Sequence, residues 1–204
     1  KPADDIGGDY YDALPLKDGS LLICVADVTG HGISAAMTAA ILKALLLQAI
    51  ESLHSPAEIL DFINHRLIAI NPSSDFVTMF LACIYPAKNR IVYASGGHEP
   101  AWLHTADGVL QELNSTGLIL GIMGDATWND SSITVSSGAR LLIATDGVSE
   151  TFNSQGEMFG RKRTAGISAE NASYPANRTV SQIEYHLAQY RGDMRQQDDV
   201  TLVL

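Results

Sequence analysis

The residues with the most chemical potential in this sequence are aspartates standing where aspartate is costly. Asp9 closes Gly7-Gly8-Asp9 ahead of an aromatic segment. Asp27 ends the apolar run LLICVAD and is followed by Val28-Thr29-Gly30-His31-Gly32. Asp146 ends LLIATD, before Gly147, and Asp198 with Asp199 opens DDVTLVL. Asp is disfavoured in strands, and an ionised carboxylate at the end of a buried strand is costly without a balancing cation. One such residue reads as a turn former or helix cap; a set of them at matching strand ends points to a shared task. No comparable set of Lys or Arg lies nearby in the sequence to pair with them. Divalent cations also collect carboxylates, and all-oxygen donors suit Mg²⁺, Mn²⁺ or Ca²⁺. Zinc fits badly, because the histidines form no HExxH pattern and Cys24 and Cys83 no CxxC pair.

The elements that must position these groups alternate between two hydrophobic periods. Residues 21–28 read as a buried strand after the turn Lys17-Asp18-Gly19-Ser20, and with a strand at 10–16 they predict an antiparallel hairpin. Ile33, Ala36, Met37, Ala40, Ile41, Ala44 and Leu45 then recur at the spacing of one helical face. A second helix opens at Ser55-Pro56, carries the stripe Ile59, Phe62, Ile63, Leu67 and Ile70, and ends at Asn71-Pro72. His65 lies opposite that stripe and reads as surface. Short strands follow at 77–85, 90–95, 100–105, 109–113, 127–135 and 140–145, with 199–204 closing the chain. Val180, Ile183, Leu187 and Tyr190 mark a late helix, while 161–177 reads as loop. Antiparallel strands with clustered helices predict an α+β class with helices outside sheets.

Composition narrows the function. Thirteen Lys and Arg against 23 Asp and Glu give a net charge of −10 over 204 residues, which argues against general binding of nucleic acid or anionic membrane. The longest apolar stretch, 35–50, is interrupted by Lys43 and Gln48 and is too short to span a bilayer. No signal peptide is visible, and Cys24 and Cys83 read as buried free thiols, so a cytoplasmic location is expected.

GGDYYD, ADVTGHGISAAM, ASGGHEPAWL, LLIATDGVSE and QQDDVTLVL occur in the order seen in metal-dependent PPM phosphatases. From residue 6 to the end, the chain resembles the bacterial SpoIIE/RsbU-type branch of the protein phosphatase 2C-like fold. That resemblance implies a four-layer α-β-β-α sandwich, two antiparallel sheets flanked by helices, and two Mn²⁺ or Mg²⁺ ions in the cleft between the sheets. Carried over by motif, Asp9, Asp27, the backbone carbonyl of Val28, Asp146 and Asp198 would be the metal ligands, with Asp27 bridging both ions. Asp199 is the rival of Asp198, since neighbouring strand residues face opposite sides.

The implied activity is a metal-dependent serine/threonine protein phosphatase acting on a phosphorylated protein, in this family often an anti-sigma-factor antagonist. An acceleration approaching ~10²¹ is far beyond the ~10²–10⁴ of one general acid or base. Attack by a metal-bridging water held by Asp27 is therefore expected, with no side-chain nucleophile. The rival reading is an inactive phosphatase-like adaptor; a metal-dependent nuclease is disfavoured by the charge. The expected organisation is one phosphatase domain over 1–204, a fragment of a longer regulatory protein with an upstream sensor or receiver domain. Control through the helix that begins at Ile33 is also expected.

Gly30 and Gly32 would free the backbone for a tight turn beside the metals. His31 is open between ligand orientation, phosphate contact, acid catalysis and a plain helix-start role. His98 is expected to fix the cleft floor by hydrogen bonds, and Thr145 and Ser149 to be structural hydroxyls. Two features depart from the family: no regular amphipathic helix is legible over 161–177, and no arginine precedes Asp9 to bind phosphate.

Overall fold

In the computed structural model, which describes residues 1–3, 5–70 and 75–204, the two hydrophobic periods resolve into nine strands and five α-helices. One sheet comprises β1 (Tyr10–Pro15), β2 (Leu21–Val28), β3 (Val77–Tyr85), β4 (Arg90–Gly96) and β7 (Ser131–Thr134), in the order β1-β2-β3-β4-β7. The other comprises β5 (Ala101–His104), β6 (Leu110–Leu113), β8 (Arg140–Ala144) and β9 (Leu202–Val203), in the order β6-β5-β8-β9. Neighbouring strands pair antiparallel throughout. The expected β1–β2 hairpin forms, with Gly19 at φ 82° and the Leu16 N–H donating to the Ser20 carbonyl at 2.8 Å.

Three apolar clusters define four layers. The helices α1 (Ile33–Ala49) and α2 (Pro56–Ile70) cover the outer face of the first sheet. A second cluster joins Ile23, Val25, Phe80 and Ala82 of the first sheet to Ala101, Leu103, Leu113 and Ile143 of the second. The third packs Trp102, Leu142 and Ala144 against α4 (Arg161–Glu170) and α5 (Ala176–Arg191). The sandwich is the expected one. Because β2 and β3 are buried on both faces, they read as near-continuous apolar runs rather than alternating ones.

Strand alternation decides what enters the gap between the sheets. Along β2, Leu22, Cys24, Ala26 and Val28 pack toward the helices, while Leu21, Ile23 and Val25 pack toward the other sheet. By the period of two, Asp27 continues the second set. On β1, Tyr10 and Leu14 pack toward the helices, so Asp9 also projects between the sheets. Tyr10 pairs with Ala26, and one further step of that register sets Asp9 opposite Asp27.

Several expectations change. The stripe on α1 containing Ile33, Met37 and Ile41 is its exposed face; Ala35, Thr38, Ala39, Leu42, Leu45, Leu46 and Ala49 are buried. The helix is apolar all round, so its periodicity carries no phase. Residues 161–177 are not a loop: they hold α4 and the start of α5. The face α4 buries consists of Thr164, Ala165 and Ser168, small side chains that give no apolar stripe. The strand expected at 127–135 spans only Ser131–Thr134, because Trp128 turns into the core and its indole N–H donates to the Leu118 carbonyl at 2.8 Å. The closing strand spans only Leu202–Val203. The helix end expected at Asn71-Pro72 lies outside the described residues. Cys24 and Cys83 are buried free thiols, and His65 is exposed, as expected.

Candidate metal and phosphoryl-transfer site

Three segments meet where the strands of both sheets run out. The first is 7–9, ahead of β1. The second is the turn from β2 into α1, and the third pairs the start of the four-residue helix α3 (Asp146–Ser149) with the 195–199 loop. Close approach explains the glycines here. A Cβ on Gly7 would lie 2.0 Å from Asp199 Oδ2, and one on Gly8 would lie 2.9 Å from the Val28 carbonyl oxygen. At Gly147 a Cβ would come within 1.9 Å of the Asp199 backbone oxygen. The turn after Val28 uses Gly30 at φ 89° and Gly32 at φ 76°, a region that favours glycine. Thr29 locks it: its N–H and hydroxyl both donate to the Phe76 carbonyl, at 3.0 and 2.9 Å.

Asp9, Asp27, Asp146 and Asp198 are brought together. Burial first, and then the charges of Asp146, Asp9 and Asp198, push the Asp27 carboxyl up to about 8. Asp146 is pushed up to about 6 by burial and then by Asp198, Glu150 and Glu99. Burial also raises Asp9 to about 6, although hydroxyls of Thr201 and Thr145 pull it back. Mutual repulsion of this kind is what a cation would relieve. Among the described residues no ion pair involves any of the four. Nor do three such side chains stand close enough, among those residues, to form a finished coordination shell. The donor chemistry fits a hard divalent cation: carboxylate oxygens, the adjacent Val28 carbonyl, and no sulfur or imidazole.

The adjacent pair Asp198 and Asp199 divides its work. Asp199 is buried and accepts backbone N–H groups from Ala3 at 2.8 Å, Gly8 at 2.6 Å and Asp9 at 3.3 Å. It braces the segment that carries Asp9. Asp198 is exposed, and its charge is felt by Asp9, Asp27 and Asp146.

The supporting side chains are polar and each makes at least one hydrogen bond, although His98 Nε2 and Glu99 Oε2 are buried without a partner among the described residues. Thr145 donates its hydroxyl to Asp9 Oδ2 at 2.9 Å and accepts the Thr201 N–H at 3.1 Å, fastening β8 to the last segment and both to Asp9. Ser149 donates to Glu99 Oε1 at 2.7 Å and to the Asp146 carbonyl at 3.2 Å. His98 is buried, its Nδ1 lies 2.8 Å from the Thr78 hydroxyl, and burial pushes its imidazole down to about 4, so it stays neutral. Thr78 pairs with Asp27 across β2 and β3. The bracing role of Asp199 and the contact of Glu99 with Ser149 had no signal in the sequence, because both depend on segments about 50 or more residues apart. A larger groove of about 700 Å³, lined by Phe62, Arg66 and Trp128 beside α2, contains none of the four carboxylates.

Comparison with known proteins agrees with this architecture. The family model described as Stage II sporulation protein E (SpoIIE) matches residues 17–204. Phosphoserine phosphatase RsbU of Bacillus subtilis (strain 168) is 30% identical over 204 residues, which is all of this chain and 60% of that protein; the chain thus spans less than two thirds of its length. The SiaA-PP2C domain of Pseudomonas aeruginosa superposes with a TM-score of 0.90 at 25% identity, over 99% of this chain and 81% of that one. The structure of RsbX in complex with magnesium superposes with a TM-score of 0.66 at 19% identity, over 98% of this chain and 86% of that one. The last is a likeness of fold.

Proposed function

We propose, from the premise that this chain belongs to the SpoIIE family, that it is a metal-dependent phosphatase for phosphoserine or phosphothreonine on a protein. The observation that carries the reading is the convergence of Asp9, Asp27, Asp146 and Asp198 from the ends of both sheets, with no ion pair among the described residues to neutralise them. RsbU, named a phosphoserine phosphatase, supports the substrate class. A small phosphorylated anti-sigma-factor antagonist is the substrate we favour within that class.

The four carboxylates and the Val28 carbonyl would hold Mn²⁺ or Mg²⁺, two ions in all, with Asp27 shared between them. When bound, such ions lower the pKa of a water that attacks phosphorus and neutralise charge on the phosphoryl oxygens. The chain's own groups supply placement. Thr145 orients Asp9 by donating to Oδ2, and Asp199 fixes the backbone beneath it. Ser149 holds the first turn of α3, where Asp146 begins, against Glu99. His98 is a neutral hydrogen-bonding strut rather than a proton donor. The set of carboxylates argues against the adaptor alternative, which has no use for it.

The domain reading, one phosphatase unit over 1–204 under an upstream sensor or receiver domain, belongs to the same proposal. The outward face of α1, with Ile33 71% and Met37 62% exposed just past the Asp27 turn, is where such control would act. Among the described residues no helix is long and apolar enough to cross a membrane. The test is hydrolysis of a phosphoserine protein with Mn²⁺, with Mg²⁺, and with excess chelator. Activity is expected only with metal; equal turnover in chelator, or full turnover in Asp27→Ala, overturns the reading.

A further inference from the structure

A protein substrate differs from a small phosphate ester in that the residues flanking its phosphoserine must lie against the surface beside the carboxylates. One segment at that rim is built for contact. Val28 at the end of β2 pairs with Val77 at the start of β3. Val77 pairs in turn with Leu120: its N–H donates to the Leu120 carbonyl at 3.0 Å, and the Leu120 N–H donates back at 2.9 Å. At about 4.8 Å per strand, Leu120 stands about 10 Å from Val28 across the end of the first sheet. Because Val77 and Leu120 pair antiparallel, residues 121–123 run on past the start of β3, on the side where the Phe76 carbonyl holds Thr29.

This turn is clamped from within. Asn64, fully buried on α2, accepts the Gly121 N–H through Oδ1 at 2.8 Å and donates through Nδ2 to the Met123 carbonyl at 2.9 Å. Gly121 adopts φ 92°, and a Cβ there would lie 3.0 Å from the Asp75 carbonyl oxygen. A buried amide is costly unless it is bonded. Both of these bonds go to a turn whose own side chains stand in solvent: Leu118, Ile122 and Met123 are 56%, 55% and 45% exposed. Residues 113–124 also contain no charged side chain, in a chain of net charge −10. The rim beside the acidic cleft is therefore uncharged, apolar and fixed, the character of a contact surface.

Resting on the phosphatase reading above, we infer that Leu118, Ile122 and Met123 receive an apolar side chain of the phosphoprotein substrate, about three residues from its phosphoserine. The spacing follows from the fold, since an extended chain advances about 3.3 Å per residue and three residues cover the roughly 10 Å from Val28 to this segment.

The probe is a pair of phosphoserine peptides, one with leucine and one with serine at the third residue on either side of the phosphoserine. Both are assayed with the Mn²⁺-loaded 204-residue protein, beside a small aryl phosphate, and their binding is followed by fluorescence anisotropy. The leucine peptide is expected to bind more tightly and to show a KM about tenfold lower than the serine peptide. Combining Ile122→Ser with Met123→Ser should abolish that preference while leaving aryl phosphate turnover and the Mn²⁺ titration unchanged. The control Tyr185→Ser, at an exposed position of α5, should preserve the preference. Equal affinity for the two peptides in the parent overturns the inference. So does a leucine preference that survives the double variant, or a parallel loss of aryl phosphate turnover. A parent that prefers the leucine peptide in anisotropy but hydrolyses neither peptide refutes the phosphatase reading instead, and the double variant's anisotropy still decides the role of this turn.

Discussion

Replacing Asp27 by asparagine should stabilise the metal-free protein, and the gain should depend on pH. In the unfolded chain this carboxyl ionises near its ordinary value of 3.8, whereas burial and the neighbouring carboxylates raise it to about 8 in the fold. Between those values the folded form holds a proton that the unfolded form releases, so the metal-free parent loses stability as pH rises from about 4 to about 8. The neutral amide of the Asp27→Asn variant would not titrate, so the stability gap opens over that window and levels off above it. At pH 7 the roughly three units of separation correspond to a ceiling of about 4 kcal/mol. Asp9, Asp146 and Asp198 share the strain and can relax together, so about 2 kcal/mol is expected. For a chain of this length that is about 4–8 °C in Tm. The assay is thermal unfolding in excess chelator at several pH values from about 4 to about 8, repeated with Mn²⁺. Metal at about a hundredfold its Kd should return about 2.7 kcal/mol to the parent and far less to Asp27→Asn. A variant less stable than the parent in chelator at pH 7, or a gap independent of pH, refutes the electrostatic reasoning.

The remaining predictions concern the bracing around this cluster. Asp199→Ala leaves the N–H groups of Ala3, Gly8 and Asp9 without their acceptor and should cost about 3 kcal/mol. Asp198→Ala should leave chemical denaturation nearly unchanged while weakening Mn²⁺ binding; the opposite pattern for this pair would reverse their assignment. Gly147→Ala drives a Cβ against the Asp199 backbone oxygen, and urea denaturation should show a loss of about 1–3 kcal/mol. A loss below about 0.5 kcal/mol would mean that the 198–199 backbone is not held there.

Legibility in the sequence followed whichever periodicity survived burial. The β1–β2 hairpin and the short strands after α2 were readable because turn residues interrupt short apolar runs, although β5 and β6 join the second sheet rather than continuing the first. Asp9, Asp27 and Asp146 were readable because each stands at the edge of such a run, and alternation along β2 then explains why Asp27 faces the gap. Alternation could not separate Asp198 from Asp199, because regular strand begins only at Leu202. The buried face of α1 was unreadable because apolar residues surround the whole helix. α4 was hidden for the opposite reason: small residues pack it, and distant Arg140 satisfies the carbonyls of Asn171 and Ala172 just past its end. That interaction reaches from β8 and leaves no local trace.

The net charge of −10 is distributed unevenly in its consequences, since a few of the acids account for the cost of keeping this cleft open. Repulsion among Asp9, Asp27, Asp146 and Asp198 would push the segments apart, and the hydrogen bonds around them run the other way. Asp199 gathers the N–H groups of Ala3, Gly8 and Asp9, while Val200 N–H and Gln196 Nε2 both hold the Lys1 carbonyl. Thr145 links Asp9 to the opposite sheet. The same contacts that fasten Lys1, Ala3 and Gly8 therefore place Asp9, and the loop they fasten it to carries Asp198. Displacing this first segment would withdraw one carboxylate from the site and release the loop that bears another. Assembly of the site and docking of this segment are, on that account, one equilibrium rather than two.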